Sequence, residues 1–292
     1  MKVGLGTVQF GVDYGVSNPS GKTDREEVKR ILQYAWELGI TVVDTAAAYG
    51  QSESVIGSET PPEACFSIVT KLPPFTNAVI SRHDVASAQG ILDQSLEKLH
   101  RDSVHGLLLH QASDLLKEGG SDLYEQLCAF KLSGQVKKIG VSAYDRETLD
   151  RVLQAFEIDL IQVPVSVLDQ RLLEGGYLAS VHQSGVEVHA RSAFLQGLLM
   201  MDPASLHPYF SSVREHLIGY RVFLDKKGMS LLAGSLAFVS ALDEVDSVIC
   251  GVNNLDQLKE IVMASSLEVD VSDFFQFSIQ DDRVLNPSRW EL

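Results

Sequence analysis

The chain has 292 residues, of which 45% are hydrophobic and 22% charged, and it carries a formal net charge of −15. That length and apolar content supply a large core and exclude an intrinsically disordered chain. The acidic balance repels nucleic-acid phosphates and anionic membranes, so neither nucleic acid nor membrane is expected as a partner.

Short β-branched runs alternate with amphipathic segments along the whole chain. Val3–Val8 reads as a first strand, brief and continuously apolar as strands buried on both faces are. Thr23-Asp24, followed by Glu26-Glu27, opens a helix over Arg25–Leu38 that Gly39 ends. Thr41–Asp44 forms a second strand, with only a short helical segment near Ser52–Ile56 behind it. The next pairs are Phe66–Thr70 with Val85–Leu99, and Val104–Leu109 with Leu123–Leu132. Lys138–Ser142 precedes a helix over Glu147–Phe156 that Asp145 caps. Leu160–Val163 and Tyr177–Gln183 make the sixth pair, and Val186–Ala190 the seventh strand. A long connection, Met200–Lys227, then intervenes. Its apolar spacing at Val213, Leu217, Tyr220 and Leu224 predicts a helix within Ser211–Asp225, and its place after the seventh strand predicts a clamp over the active face. Ser230–Leu242, the strand Ser247–Cys250 and a helix over Leu255–Met263 opened by Asn254 complete the pattern. The tail, Phe274–Leu292, is expected to cover an apolar surface.

Eight βα units in a chain of this size predict one α/β domain over residues 1–292, a single parallel (β/α)8 TIM barrel with a long loop after strand seven. A doubly wound dinucleotide fold would need a Gly-rich turn leading straight into a helix. The nearest candidate, GLGTVQFG, has the wrong spacing, and no helix is predicted directly behind it. Cys65, Cys128 and Cys250 lie far apart without a CxxC pair, the pattern of reduced thiols. Glycines interrupt the opening MKVGLGTVQFG, and no apolar run of about eighteen residues occurs, so the expected location is cytoplasmic.

Barrel enzymes place their chemistry at the carboxyl ends of the strands. Those ends carry Asp44, Tyr49 in the loop behind it, Lys71 and His110. Together they can reduce a carbonyl, which needs a hydride at carbon and a proton at oxygen. A phenol with pKa near 10 is a weak acid at neutral pH, and a neighbouring ammonium stabilises its phenolate. Lys71 can do this if Asp44 keeps it charged, while His110 can donate to the carbonyl oxygen. Singly, Asp44 reads as a cap or ion-pair member and Tyr49 as packing; the set carries the functional reading. His100, His105 and His110 recur at intervals that share neither a helix face nor a strand face, and no HExxH occurs, so no metal site is expected. His100 and His105 read as surface or packing residues. Asp13 and Tyr14 read either as a turn or as the substrate entrance.

VVDTAAAYGQSE, TKLPP and LLLHQA resemble the signature, lysine and histidine segments of the aldo-keto reductases, in that family's catalytic order. GQVKKIGVSAYD, IQVPVSVLD and GVNNLDQLKEI extend the likeness over nearly the whole chain. The resemblance implies an NAD(P)H-dependent carbonyl reductase acting on a small-molecule substrate, with Asp44, Tyr49, Lys71 and His110 catalytic. It implies that Ser142 and Gln162 hold the nicotinamide carboxamide, and that Thr7, Val8 and Asp44 line the same region. Ser192, Phe194, Gln196 and Gly197 fall in the pyrophosphate loop. Gly251, Asn253, Asn254, Gln257 and Glu260 fall in the adenosine-phosphate site. The chain departs from the family at Ser142-Ala143, where many members have Ser-Asn, and at Arg191, whose planar guanidinium is expected to stack on the nicotinamide where a tyrosine often does. Its start leaves no room for the hairpin that closes the barrel bottom in some members. Gly251 and Gln257 replace basic residues that often grip a 2′-phosphate. NADPH is the expected cofactor, with NADH as the alternative and Lys259, Lys226 or Lys227 as substitute cations. Some barrels of this family are cofactor-binding regulatory β-subunits of channels, the alternative to turnover.

Overall fold

Strand β1 (Val3–Gly6) pairs in parallel with both β2 (Val42–Asp44) and β8 (Ser247–Gly251), which closes the sheet. Around the barrel stand β3 (Ser67–Leu72), β4 (Val104–Leu109), β5 (Val136–Ser142), β6 (Leu160–Pro164) and β7 (Glu187–Arg191), each paired with its sequence neighbours. The parallel eight-strand barrel is the expected architecture, and a closed sheet excludes the doubly wound one. This computed structural model describes residues 1–15, 18 and 21–290, so Glu291 and Leu292 of the predicted tail lie outside the described residues.

Helices α1 (Arg25–Glu37), α2 (Ser52–Glu59), α3 (Arg82–Leu99), α4 (Gly120–Leu132), α5 (Arg146–Ala155) and α6 (Tyr177–Gln183) follow the first six strands. After β7 come α7 (Arg214–Lys227) and α8 (Leu231–Ser240), and α9 (Leu255–Ser265) follows β8. Asp24, Asp145 and Asn254 cap α1, α5 and α9 as expected, each accepting from a backbone N–H of the first turn. Helix α3 begins earlier than predicted, because Ser81 and Asp84 form a capping box.

The ends of β1 and β3 differ from the prediction for physical reasons. Strand β1 stops at Gly6, because the Thr7 N–H and hydroxyl both donate to Asp44 O, at 3.1 and 2.8 Å. Val8–Gly11, the second half of GLGTVQFG, then forms a single helical turn, and the next helix begins only at Arg25. Strand β3 runs past Thr70 to include Lys71, whose side chain has partners inside the barrel. The connection Met200–Lys227 contains its predicted helix, and its first residue, Met200, lines the cavity at the strand ends. Leu217, Tyr220 and Leu224 of α7 are buried, and the Tyr220 ring packs on Phe277 of the tail with centroids 5.2 Å apart.

Inside the barrel, Val69, Leu108 and Leu160 form an apolar cluster separate from the main core. Glycines make room for them: a Cβ on Gly140 would lie 2.6 Å from Leu108 Cδ2. At the amino ends of the strands, Glu187 accepts hydrogen bonds from His105, His189 and Lys138. Burial alone would push Glu187 up, yet these three donors hold it well below the usual carboxylate range. His105 is thus part of a polar plug. Among the described residues, no helix is long and apolar enough to cross a membrane.

Candidate active site

The carboxyl ends of the strands surround a cavity of about 600 Å³. Asp44 ends β2, and Lys71 Nζ donates to both its carboxylate oxygens at 2.7 Å. The same ammonium donates to Thr45 O at 2.8 Å, which commits all three of its N–H groups. Lys71 is 1% exposed, and a cation so buried persists only with such a partner. Burial pulls it below the ordinary ammonium range while Asp44 opposes. Gln162 Nε2, expected near a nicotinamide carboxamide, donates to Asp44 Oδ1 at 2.7 Å.

Tyr49 stands in the turn after β2. Its ring centroid lies 5.2 Å from Lys71 Nζ and 5.7 Å from that of His110, edge to face. Gly11 permits this position, since a Cβ there would fall 1.7 Å from Tyr49 O. Burial, and then the Asp44 carboxylate, push the Tyr49 hydroxyl above the ordinary phenol range, while Arg191 pulls it down. The sequence reading expected the Lys71 ammonium to lower this pKa; its protons go to Asp44 and Thr45 O, it faces the ring, and burial with Asp44 prevails. The hydroxyl keeps its proton at neutral pH. Burial, and then Lys71, push His110 down to about 4, which leaves a neutral ring with one N–H to donate.

Of the residues assigned to a cofactor, Thr7, Val8, Asp44, Ser142, Gln162, Arg191, Ser192, Phe194, Gln196, Gly197, Gly251, Asn253, Gln257 and Glu260 line the cavity. Asn254 does not; its side chain accepts from Gln257 N at 2.9 Å and caps α9. The Thr7 hydroxyl is engaged with Asp44 O and Ser52 Oγ, so it braces the strand end. After β7, Ser192, Leu195 and Gln196 have φ of +62°, +47° and +51°. Left-handed backbone at non-glycine residues is strained, and its concentration in one short loop marks a segment shaped for a ligand. Gln196 Nε2 donates to the Tyr14 hydroxyl at 3.0 Å, tying this loop to the one after β1.

Sequence reasoning missed Gln9 and Tyr144, which also line the cavity. Both follow predicted strand ends closely, a signal that was present. Among the described residues, Gln9 Oε1 and Asn253 Oδ1 are buried without hydrogen-bond partners. A Cβ on Gly251 would meet the Gln9 side chain at 2.6 Å, so this glycine keeps the floor open. Orphaned polar atoms, an open floor and a strained loop fit an elongated polar ligand such as a dinucleotide. The Arg191 guanidinium lies 4.0 Å over the Tyr144 ring. The substitute cations are engaged or distant: Lys259 pairs with Asp256 and Lys227 with Asp273, and Lys226 is not among the lining residues.

Residues 2–279 match the sequence model of the aldo/keto reductase family. An uncharacterized oxidoreductase of Bacillus subtilis, YqkF, is 25% identical over 91% of this chain and 87% of its own length. The NADH-specific methylglyoxal reductase of Escherichia coli is 27% identical over 68% of this chain and 65% of its own. The holo form of aldo-keto reductase AKR11C1 from Bacillus halodurans superposes with a TM-score of 0.75 at 21% identity, covering 94% of this chain and 90% of that one. The family uses nicotinamide cofactors on small carbonyl substrates, and with its model matched across nearly the full length, this chain belongs to the aldo/keto reductases.

Proposed function

We propose that the protein reduces an aldehyde or ketone to an alcohol with a nicotinamide cofactor, Tyr49 serving as proton donor. The reading rests on one observation: Tyr49, His110 and the Asp44–Lys71 pair meet at one end of a cavity whose other end fits a dinucleotide. The bound cofactor would supply the hydride. His110, neutral at pH 7, donates to the carbonyl oxygen and orients it. Tyr49 passes its hydroxyl proton to that oxygen. The phenolate left behind is stabilised by the Lys71 ammonium near its ring and by Arg191. Asp44 keeps Lys71 charged in an interior that would otherwise neutralise it.

Tyr49→Phe tests this, because it keeps the ring and removes only the hydroxyl. Turnover should fall about a hundredfold or more while cofactor affinity persists. Near-normal turnover by the variant would overturn the assignment. Cofactor binding with a residual turnover that ignores the substitution would instead fit the regulatory alternative.

For the cofactor, the structure supports NADH more than the sequence reading did. At the start of α9, Leu255 N donates to Glu27 Oε1 at 2.6 Å. An internal carboxylate thus occupies a helix N-terminus that a 2′-phosphate would need, and Glu260 lines the cavity nearby. Dissociation constants at one ionic strength should show NADPH bound no tighter than NADH. Glu27→Gln should shift the ratio toward NADPH by about fivefold, on the order of 1 kcal/mol for one like charge removed. A wild-type preference for NADPH, or a ratio that Glu27→Gln leaves unchanged, would reject this.

A further inference from the structure

Side chains of one strand face alternate, and the inward face of β7 carries Glu187, His189 and Arg191 in turn. Glu187 accepts from His189 Nε2 at 2.7 Å. Arg191, at the cavity end, has no carboxylate partner among the described residues. Among the described residues it donates to Ser192 Oγ at 3.3 Å and Ala143 O at 3.4 Å, long contacts for a group with five N–H donors. Arg171, by contrast, binds Asp169 and Asp282 at 2.8 and 2.9 Å. Among the described residues that line the cavity, Arg191 is the one with a permanent positive charge. The nearby ammonium of Lys71 is already closed against Asp44.

A half-buried cation held without an anion loses hydration that nothing replaces. The local structure nevertheless fixes it in place. Tyr144 supplies an aromatic plane beneath the guanidinium, and the Ala143 backbone carbonyl accepts from it. The free edge of the fork opens to the cavity that holds Tyr49 and His110, and its charge is felt at both. Resting on the carbonyl-reductase reading, we propose that Arg191 is an anion anchor that selects carbonyl substrates bearing a carboxylate or phosphate group. A planar fork matches two oxygens of either group. In a chain of net charge −15, only a local cation lets such a substrate settle.

The test compares charged and neutral carbonyls: 4-oxobutanoate against butanal, and glyceraldehyde 3-phosphate against glyceraldehyde. In the wild type, kcat/KM for at least one anionic member should exceed that of its partner by about tenfold or more, the scale of a charge-assisted bidentate contact. The arm that shows the excess tells carboxylate from phosphate. Arg191→Met should bring the ratio near unity, and Arg191→Lys should restore part of it. Both members of a pair share the cofactor, so effects on cofactor binding cancel. Wild-type ratios near unity in both arms overturn the anchor. A ratio that Arg191→Met leaves unchanged also overturns it, and a weakened cofactor affinity would then assign Arg191 to the pyrophosphate. Calorimetric titration of the cofactor-loaded protein with butanoate or inorganic phosphate needs no turnover. Binding to wild type that Arg191→Met abolishes supports the anchor, and no binding of either ion to wild type counts against it. If every carbonyl fails to turn over while that Arg191-dependent binding persists, the reductase reading falls and the anchor stands.

Discussion

His110 can donate its N–H to a carbonyl oxygen as a neutral ring, and burial together with Lys71 holds it neutral to about pH 4. An ordinary histidine titrates near pH 6.5. The sign of the linkage follows. Between about 6.5 and 4 the unfolded chain binds this proton and the folded chain does not, so stability falls as the pH drops through that window. The imidazole resonances of His110, assigned by their loss in His110→Gln, should show a midpoint near pH 4, and a midpoint near 6.5 would contradict the burial argument. The identity of these residues was legible in the sequence: a lysine directly behind an apolar run needs an anion, and Asp44 ends the preceding strand. Their contacts were not. Lys71 points at Asp44 and Thr45 O, not at the Tyr49 hydroxyl, and only the closed barrel decides that.

At the scale of elements, the Tyr49 loop is set by contact between two backbones. The helical turn Val8–Gly11 presses its last residue against Tyr49 O, and Gly50, with φ of +59°, turns the chain away beyond it. Gly11→Ala should therefore displace the loop and lower kcat/KM by about tenfold or more, since small misplacements of a reacting group are costly. Gly90→Ala is the control. Gly90 lies within α3, and a Cβ there meets nothing within 4 Å, so this change should raise stability by about 0.5 kcal/mol and leave activity alone. Equal kinetics for Gly11→Ala and Gly90→Ala would show that the loop is not held this way. The sequence hid this arrangement because Val3–Val8 reads as one strand, and such a run does not reveal where pairing stops. It also hid the packing of α7. The spacing of Leu217, Tyr220 and Leu224 revealed a helix but not which surface would receive it.

For the molecule as a whole, the alternation of apolar runs and amphipathic segments was enough to read the barrel. The filling of its interior was not readable, because it depends on which glycines face which large side chains across closed neighbours, as Gly140 faces Leu108. One result is a tube with unlike ends. The plug around Glu187 stops one end, and the layer of Val69, Leu108 and Leu160 lies above it. A tube stopped at one end is a cul-de-sac, so whatever enters past Arg191 must leave past it again. Reduction alters a substrate at its carbonyl and leaves a distant carboxylate or phosphate untouched, so the product keeps the grip that captured its precursor. Tight capture and quick departure therefore pull against each other, and the residence time of the alcohol limits how strongly such a cation can hold the carbonyl that precedes it.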